Sequence, residues 1–291
     1  MNLESLTASS TTKKSLQDYL SKPGASLLLT GADGSGKTTI AYALAAELLG
    51  LKTDKLVGSS SFLAIAPLNK SKEISIDSIR ELKRTLSLKA PSNRPKRVVV
   101  ISSAHTMSHE AQNSALKILE EPPNDTYFIL SASAANNLLP TIVSRCWQIV
   151  VRPLALAEAL SVMKEEFNSA DIEKAWLISG GRVGLLTAIL KNDKEHPQIQ
   201  AIERAKKILK IPTSQKLIEL DGIASDGELS AIVEAIEKIM AAIYKKAFQK
   251  SNNEADKILQ NRRLILTTKK ILATNANRRL VAIHLALNLR T

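Results

Sequence analysis

The strongest chemical signal is a glycine-rich turn that ends in lysine and threonine, GADGSGKT at positions 31–38. It fits the pattern G-x-x-x-x-G-K-T, and it lies between a strand-like run, 25–30, and a helix-like run, 37–49. Glycines let the backbone curl and turn its N–H groups inward, which makes a concave site for anions such as phosphate. Lysine adds a positive charge, and threonine offers a hydroxyl to Mg²⁺. The predicted nucleotide-binding residues are Gly31, Gly34, Ser35, Gly36, Lys37, Thr38 and Thr39, with Thr38 as the magnesium contact.

The alternative to a phosphate site is a glycine-rich turn that matches the pattern by chance. The flanking strand and helix argue against it, because the pattern is specific only in that context. Hydrolysis of a nucleotide needs groups beyond this turn.

Composition narrows the classes of protein and partner. A chain of 291 residues exceeds one typical domain of about 100 to 200 residues, so two or three domains are expected. The net charge of +12 favours an anionic partner, nucleic acid first, although a lysine-rich protein without such a partner fits equally well. Only 3% of residues are aromatic, which argues against stacking of single-stranded bases as the main binding mode.

Cysteine and histidine give little support for a metal site. The single cysteine, Cys146, excludes an internal disulfide and a four-cysteine zinc site. His105 and His109 are four residues apart but have no evident third ligand, so ordinary surface histidines are the favoured interpretation. The N-terminus has no apolar core of signal-peptide length, and no apolar run approaches a membrane span. A cytoplasmic protein without a membrane partner is expected.

The order of elements predicts an α/β domain followed by helices. Strand-like runs alternate with helix-like runs up to position 152, which is typical of a doubly wound parallel sheet. The predicted strands are 25–30, 62–66, 98–101, 126–130 and 147–151, and the predicted helices are 15–20, 37–49, 76–86 and 109–120. From 153 onward we find only helical periodicity, and we divide it into a small unit, 153–193, and a longer one, 194–291. A basic loop at 89–97 could contact nucleic-acid phosphates or could simply be solvated.

Two further stretches carry a resemblance to a known family. The first stretch, 110–146, contains Leu119-Glu120-Glu121-Pro122-Pro123 and Ser144-Arg145-Cys146, and the second, 275–289, has the pattern of a C-terminal helix. Together they make the chain resemble the AAA+ subunits of clamp loaders, most of all the delta-prime subunits of the bacterial DNA polymerase III clamp loader. This resemblance implies an AAA+ P-loop domain (1–152), a helical lid (153–193) and an all-α collar domain (194–291) that joins a five-subunit ring.

The resemblance also implies partners and a cofactor. The partners would be the ATPase subunits and a delta-like subunit, held through the collar, and through them the sliding clamp and primed DNA within the polymerase holoenzyme. The cofactor would be ATP with Mg²⁺, and no zinc is expected because residues 51–61 contain no cysteine.

The chain departs from active members of this family at the positions that hydrolysis needs. Active members have Asp and Glu after the strand that here ends at Ile101, and this chain has Ser102 and Ser103, a degenerate Walker B motif. Serine cannot replace a carboxylate that holds Mg²⁺ or polarises water. Gly184 also falls where the family has a sensor arginine. ATP is therefore expected to bind without being hydrolysed.

Arg145 is the residue for which the resemblance implies chemistry. The arginine of the Ser-Arg-Cys motif serves in trans, as an arginine finger at the nucleotide of a neighbouring subunit; a structural arginine at a subunit edge is the alternative. Three functional hypotheses follow. The first is a scaffold that lends Arg145 to a neighbour during clamp loading. The second is an active AAA+ ATPase with an unidentified acidic residue, and the third is a P-loop protein that binds nucleic acid by its own basic surface.

Overall fold

The computed structural model describes residues 6–67, 73–88, 96–225, 228–247, 255–272, 274 and 276–290. Most of the basic loop at 89–97 lies outside these residues. The chain forms two compact units, Met1–Glu158 and Ala159–Thr291. The finer division of the second unit into a lid and a collar stays a prediction.

The first unit is built on a five-stranded parallel sheet, as predicted. Its strands are β1 (Ser26–Thr30), β2 (Phe62–Ile65), β3 (Arg97–Ile101), β4 (Thr126–Ala132) and β5 (Trp147–Val150), in the spatial order β2-β3-β4-β1-β5. All pairs are parallel, with Leu28 opposite Leu130 and Gln148. β1 and β3 are buried along their whole length, which explains why they read as continuous apolar runs rather than alternating ones.

Helices cover both faces of the sheet. They are α1 (Ser10–Ser21), α2 (Lys37–Leu49), α3 (Ile76–Ser87), α4 (His109–Glu120) and the short α5 (Pro140–Val143). Leu27 and Leu29 of β1 pack with α1 and α2, whereas Leu28 packs with α3 and α4. Because successive strand side chains point to opposite faces, one strand contributes to both cores. This is the doubly wound arrangement that the sequence predicts.

The predicted extent of the first helix, 15–20, is wrong. α1 begins at Ser10, because the Ser9 hydroxyl accepts a hydrogen bond from the Thr12 N–H and caps the helix. The first turn consists of serine, threonine and lysine, so apolar periodicity gives no signal there. Thr12 also turns inward, and its hydroxyl accepts a hydrogen bond from the Arg152 N–H at 3.1 Å.

The second unit is helical throughout its described part. Its helices are α7 (Ser169–Ser179), α8 (Val183–Leu190), α9 (Pro197–Lys210), α10 (Thr213–Ser225), α11 (Leu229–Ala247), α12 (Ala255–Leu272) and α13 (Arg278–Asn288), and α6 (Leu156–Met163) crosses the boundary between the units. One hydrophobic cluster runs from Leu185 to Leu289. None of the described helices has the length and apolarity to cross a membrane.

The C-terminal helix is secured by a buried polar clasp. The Lys216 Nζ donates to the Leu289 carbonyl at 3.1 Å, and the Asn261 side chain both donates to the Arg290 carbonyl (2.6 Å) and accepts from its N–H (3.0 Å). Asn261 is 3% exposed and Lys216 is fully buried. Burial lowers the pKa of the Lys216 amine. The backbone groups at the end of α13 have no partners within the helix, and the side chains of the clasp supply hydrogen bonds to them.

We expect Asn261→Ala to lower the free energy of unfolding by about 2 kcal/mol, because it leaves the two backbone groups of Arg290 without their partner. Urea denaturation of the full chain measures this. Asn288→Ala is the control, since Asn288 is exposed on α13 and its side chain donates to the His284 carbonyl one turn back; its effect should stay within about 0.5 kcal/mol. Equal losses in the free energy of unfolding for the two substitutions would contradict a stabilising role of the clasp.

Glu158 connects the start of α1 to the segment that follows β5. Its carboxylate accepts hydrogen bonds from the Ser10 N–H (2.9 Å), the Ser10 hydroxyl (2.7 Å) and the Ala155 N–H (2.9 Å). These bonds, those from Ser10 first, lower the pKa of the Glu158 carboxyl. Stabilisation is therefore present above the unfolded value, near 4.5, and is lost as the pH falls through the lower folded value.

Glu158→Gln should lower the melting temperature at pH 7 by about 2 °C, because the amide cannot accept all three bonds. The difference from the unaltered chain should shrink as the pH falls below 4.5. Thermal unfolding between pH 3 and pH 7, values chosen to span roughly the carboxyl range, measures it. Glu165→Gln, at an exposed position, is the control; a Glu158→Gln difference that is independent of pH would contradict this role.

Candidate functional site

The glycine-rich loop leaves the carboxyl end of β1 and leads directly into α2. Gly36 has a φ of 89° and caps α2 in the left-handed conformation, and Gly34 has a φ of 83°. A Cβ atom on Gly31 would lie 2.8 Å from the Val151 carbonyl oxygen and 3.2 Å from the Ser35 Oγ. The loop backbone therefore passes so close to the Val151 carbonyl that only glycine fits at position 31.

Lys37 lies in the first turn of α2 and folds back over the loop. Its Nζ donates to the Gly31 carbonyl at 2.6 Å and the Ala32 carbonyl at 3.0 Å, and lies 3.6 Å from the Asp33 carboxylate. Burial lowers the pKa of the Lys37 amine, and Asp33 opposes this shift. The amine is thus held at the mouth of the loop, where the α2 N-terminus adds a positive dipole end.

The other loop residues fit a phosphate group. The Ser35 hydroxyl is buried, with the residue 3% exposed, and has no hydrogen-bond partner in the described part of the chain. Burial of an unpaired hydroxyl is costly, so this atom needs an acceptor such as a phosphate oxygen. Thr38 and Thr39 are exposed at the start of α2, where their hydroxyls are accessible. Within the described ranges, no cluster of three His, Cys, Asp or Glu residues could hold a metal by itself.

Ser102 and Ser103 follow β3 at the same edge of the sheet as the loop. The Ser102 N–H bonds the Ile65 carbonyl at 2.8 Å. Ser103 has a left-handed φ of 54°, and its N–H donates to the Ser131 Oγ at 3.0 Å. Ser131 pairs in register with Leu29 of β1, which brings the end of β3 toward the loop. Ser102 and Ser103 thus have hydroxyls at the two positions where the resemblance places the carboxylates of Asp and Glu.

His105 is one of the two histidines expected at the surface, and it is only partly exposed. It lies partly buried after β3, where its Nδ1 accepts a hydrogen bond from the Ser133 N–H at 3.3 Å. Burial lowers the pKa of this imidazole, with Asp33 opposing and Lys37 adding to the shift. The imidazole of His105 therefore lies within electrostatic reach of Asp33 and Lys37 of the loop. The sequence signal for this location is the position of His105 four residues after a predicted strand of the sheet.

Arg145 lies at the other edge of the sheet. It precedes β5, in the turn that follows α5, whereas the glycine-rich loop follows the carboxyl end of β1. Because β1 and β5 are parallel, these two edges are separated by the length of the strands, about 13 to 17 Å for four or five residues. The neighbouring Cys146 is buried, which raises the pKa of its thiol to about 12, so it has no nucleophilic role.

The structure brings Arg145 and the Leu-Glu-Glu-Pro-Pro motif together. The Arg145 Nη2 lies 2.5 Å from the Glu120 Oε1, and its Nη1 donates to the Thr141 carbonyl at 2.8 Å. Gln112 of α4 holds the start of α5, since its side chain accepts from the Leu139 N–H at 2.9 Å. The two motifs that carry the resemblance thus form one surface at the amino edge of the sheet. We did not predict this contact.

Comparison with known proteins places the chain in a family. The family model described as DNA polymerase III, delta subunit, matches residues 8–155, just over half of the chain. The chain belongs to this family of clamp-loader AAA+ proteins. The resemblance to this family drawn from the sequence is thereby confirmed.

Individual relatives agree with this family. The DNA polymerase III subunit delta' of Pseudomonas aeruginosa is 30% identical over 201 residues, which is 63% of this chain and 61% of that protein. The delta' subunit of Haemophilus influenzae is 33% identical over 40% of this chain and 36% of that protein, and a replication factor C small subunit of Methanococcus vannielii is 31% identical over 60% and 54%. The chain spans about half the length of the relatives that it matches.

A solved structure supports the fold. The DNA polymerase III gamma subunit-related protein of Thermotoga maritima superposes with a TM-score of 0.55 at 21% sequence identity, over 96% of this chain and 100% of that one. An α/β P-loop domain followed by helices is therefore confirmed.

Gly31→Ala should lower the free energy of unfolding by about 2 kcal/mol, because the new Cβ would overlap the Val151 carbonyl and the loop would have to move. Gly24→Ala is the matched control, since a Cβ there meets no atom within 4 Å. Urea denaturation of the two variants measures the difference. If both changes had the same effect, the close packing of this loop would be contradicted.

Proposed function

We propose that the chain is a delta-prime-like clamp-loader subunit that binds ATP without hydrolysing it and supplies Arg145 in trans to a neighbouring ATPase subunit. Its task is to help load a sliding clamp on primed DNA. Replication proteins among the relatives support a cytoplasmic location.

The observation that carries this proposal is the position of Arg145. Its guanidinium lies at the amino edge of the sheet, a strand length away from the chain's own glycine-rich loop. It is 35% exposed, so another molecule can contact it. An arginine finger is useful because it stabilises negative charge on the phosphoryl group during transfer. From the amino edge, Arg145 can do this for a neighbour's nucleotide and not for its own.

The end of β3 supports the absence of hydrolysis in cis. Ser102 and Ser103 use their backbone groups to bond β2 and Ser131, and neither side chain carries a charge. Loss of a positioned general base costs about 10² to 10⁴ in rate. The backbone amides of the loop, Lys37 and the unpaired Ser35 hydroxyl remain suited to phosphate. We therefore propose nucleotide binding with Thr38 toward Mg²⁺, without turnover.

The C-terminal helix supports assembly into a ring. Leu280, Ile283 and Leu287 of α13 are 65%, 39% and 60% exposed, and their spacing puts them on one helix face. Exposed apolar side chains on one helix face favour contact with another protein. We propose that this face belongs to the collar and packs against the ATPase and delta-like subunits.

The test is Arg145→Ala in the complex reconstituted with the cognate ATPase subunits, sliding clamp and primed DNA. Phosphate release from the neighbouring site, followed in a single turnover, should slow by about 10³-fold while the complex still assembles. Arg80→Ala is the control, because Arg80 is an exposed arginine of the same unit whose one ion pair within the described residues is with Asp77 on its own helix. An unchanged rate for Arg145→Ala would contradict the proposed function.

A further inference from the structure

The Arg145 guanidinium is held from two sides. Glu120 contacts its Nη2 at 2.5 Å, while the Thr141 carbonyl accepts from its Nη1 at 2.8 Å and the Ser144 hydroxyl lies 3.5 Å from the same nitrogen. A guanidinium has five N–H donors in a rigid plane. Two anchors on different nitrogens fix that plane, and no further partner of Arg145 occurs among the described residues. The remaining donors are available to a phosphate.

The presence of a glutamate at position 120 is not explained by the stability of α4. It is the last residue of α4, where a carboxylate faces the negative end of the helix dipole. Pro122 and Pro123 follow and prevent the helix from continuing. The end of α4 is thus a fixed point, and its one described ion pair is made with Arg145. The adjacent Glu121 is also exposed, and no ion pair of its side chain occurs in the described ranges.

We propose that Glu120 is a positioning residue for the arginine finger: its carboxylate holds the Arg145 guanidinium in the orientation that reaches the neighbour's nucleotide. This inference rests on the proposed function of Arg145. A finger acts only when its donors meet the phosphoryl oxygens in the transition state, and a misplacement of about 1 Å can cost a hundredfold in rate. An exposed arginine without an anchor would have to lose side-chain freedom on every turnover.

The experiment uses the reconstituted complex and measures kcat and KM for ATP at the site next to this subunit. Glu120→Ala should lower kcat about tenfold and leave KM within about twofold, because the guanidinium loses its orientation and the nucleotide keeps its own binding groups. Glu120→Gln should recover most of the rate, since the amide oxygen still accepts a hydrogen bond. Glu121→Ala is the matched control and should match the unaltered complex.

A second arm separates positioning from general loss of structure. In the Arg145→Ala background, adding Glu120→Ala should change nothing further, because the group that Glu120 positions is already absent. A further loss of rate in that background would mean that Glu120 supports the fold, and would overturn the proposal.

The remaining outcomes distinguish this inference from the function on which it rests. If Glu120→Ala behaves like Glu121→Ala while Arg145→Ala slows the neighbour, positioning by Glu120 is overturned and the trans finger stands. If Arg145→Ala has no effect, the proposed function fails and this inference fails with it.

Discussion

The common direction of the five strands is the constraint on which the other features depend. In a parallel sheet every strand ends at the same edge, so the glycine-rich loop after β1 and the two serines after β3 meet there. For the same reason, residues that precede strands gather at the opposite edge. Glu120, before β4, and Arg145, before β5, are such residues. One sheet therefore presents the glycine-rich loop at one edge and the Arg145 guanidinium at the other.

The function that we propose requires a subunit to contribute to catalysis without performing it, and this arrangement assigns the two tasks to different residues. The glycine-rich loop keeps its glycines, its lysine and the helix N-terminus that follows it, while the two positions after β3 hold the hydroxyls of Ser102 and Ser103. Binding and hydrolysis depend on the ends of two different strands, β1 and β3, at the same edge of the sheet and on different residue types. The residues suited to phosphate binding can therefore persist when the carboxylates needed for hydrolysis are lost. The Arg145 guanidinium at the opposite edge is independent of both.

Much of the fold could be predicted from the sequence because its signals are local. Continuous β-branched runs such as 98–101, the glycine-rich loop and the proline stop after α4 each determine their own structure. The start of α1 was missed because a serine cap and polar first turn carry no apolar period. The contact between Glu120 and Arg145 was missed for a different reason: it depends on how two loops meet at the sheet edge, which neither segment encodes alone.

The most direct test of the account uses the purified single chain. ATP binding is measured by equilibrium titration with Mg²⁺, and phosphate release is measured in the same sample, with Lys37→Ala as the control for binding at the loop. The account predicts saturable binding that Lys37→Ala abolishes, with no phosphate release above background. Release at ordinary ATPase rates, about 1 to 100 per second, would contradict it and would make this subunit a motor in its own right.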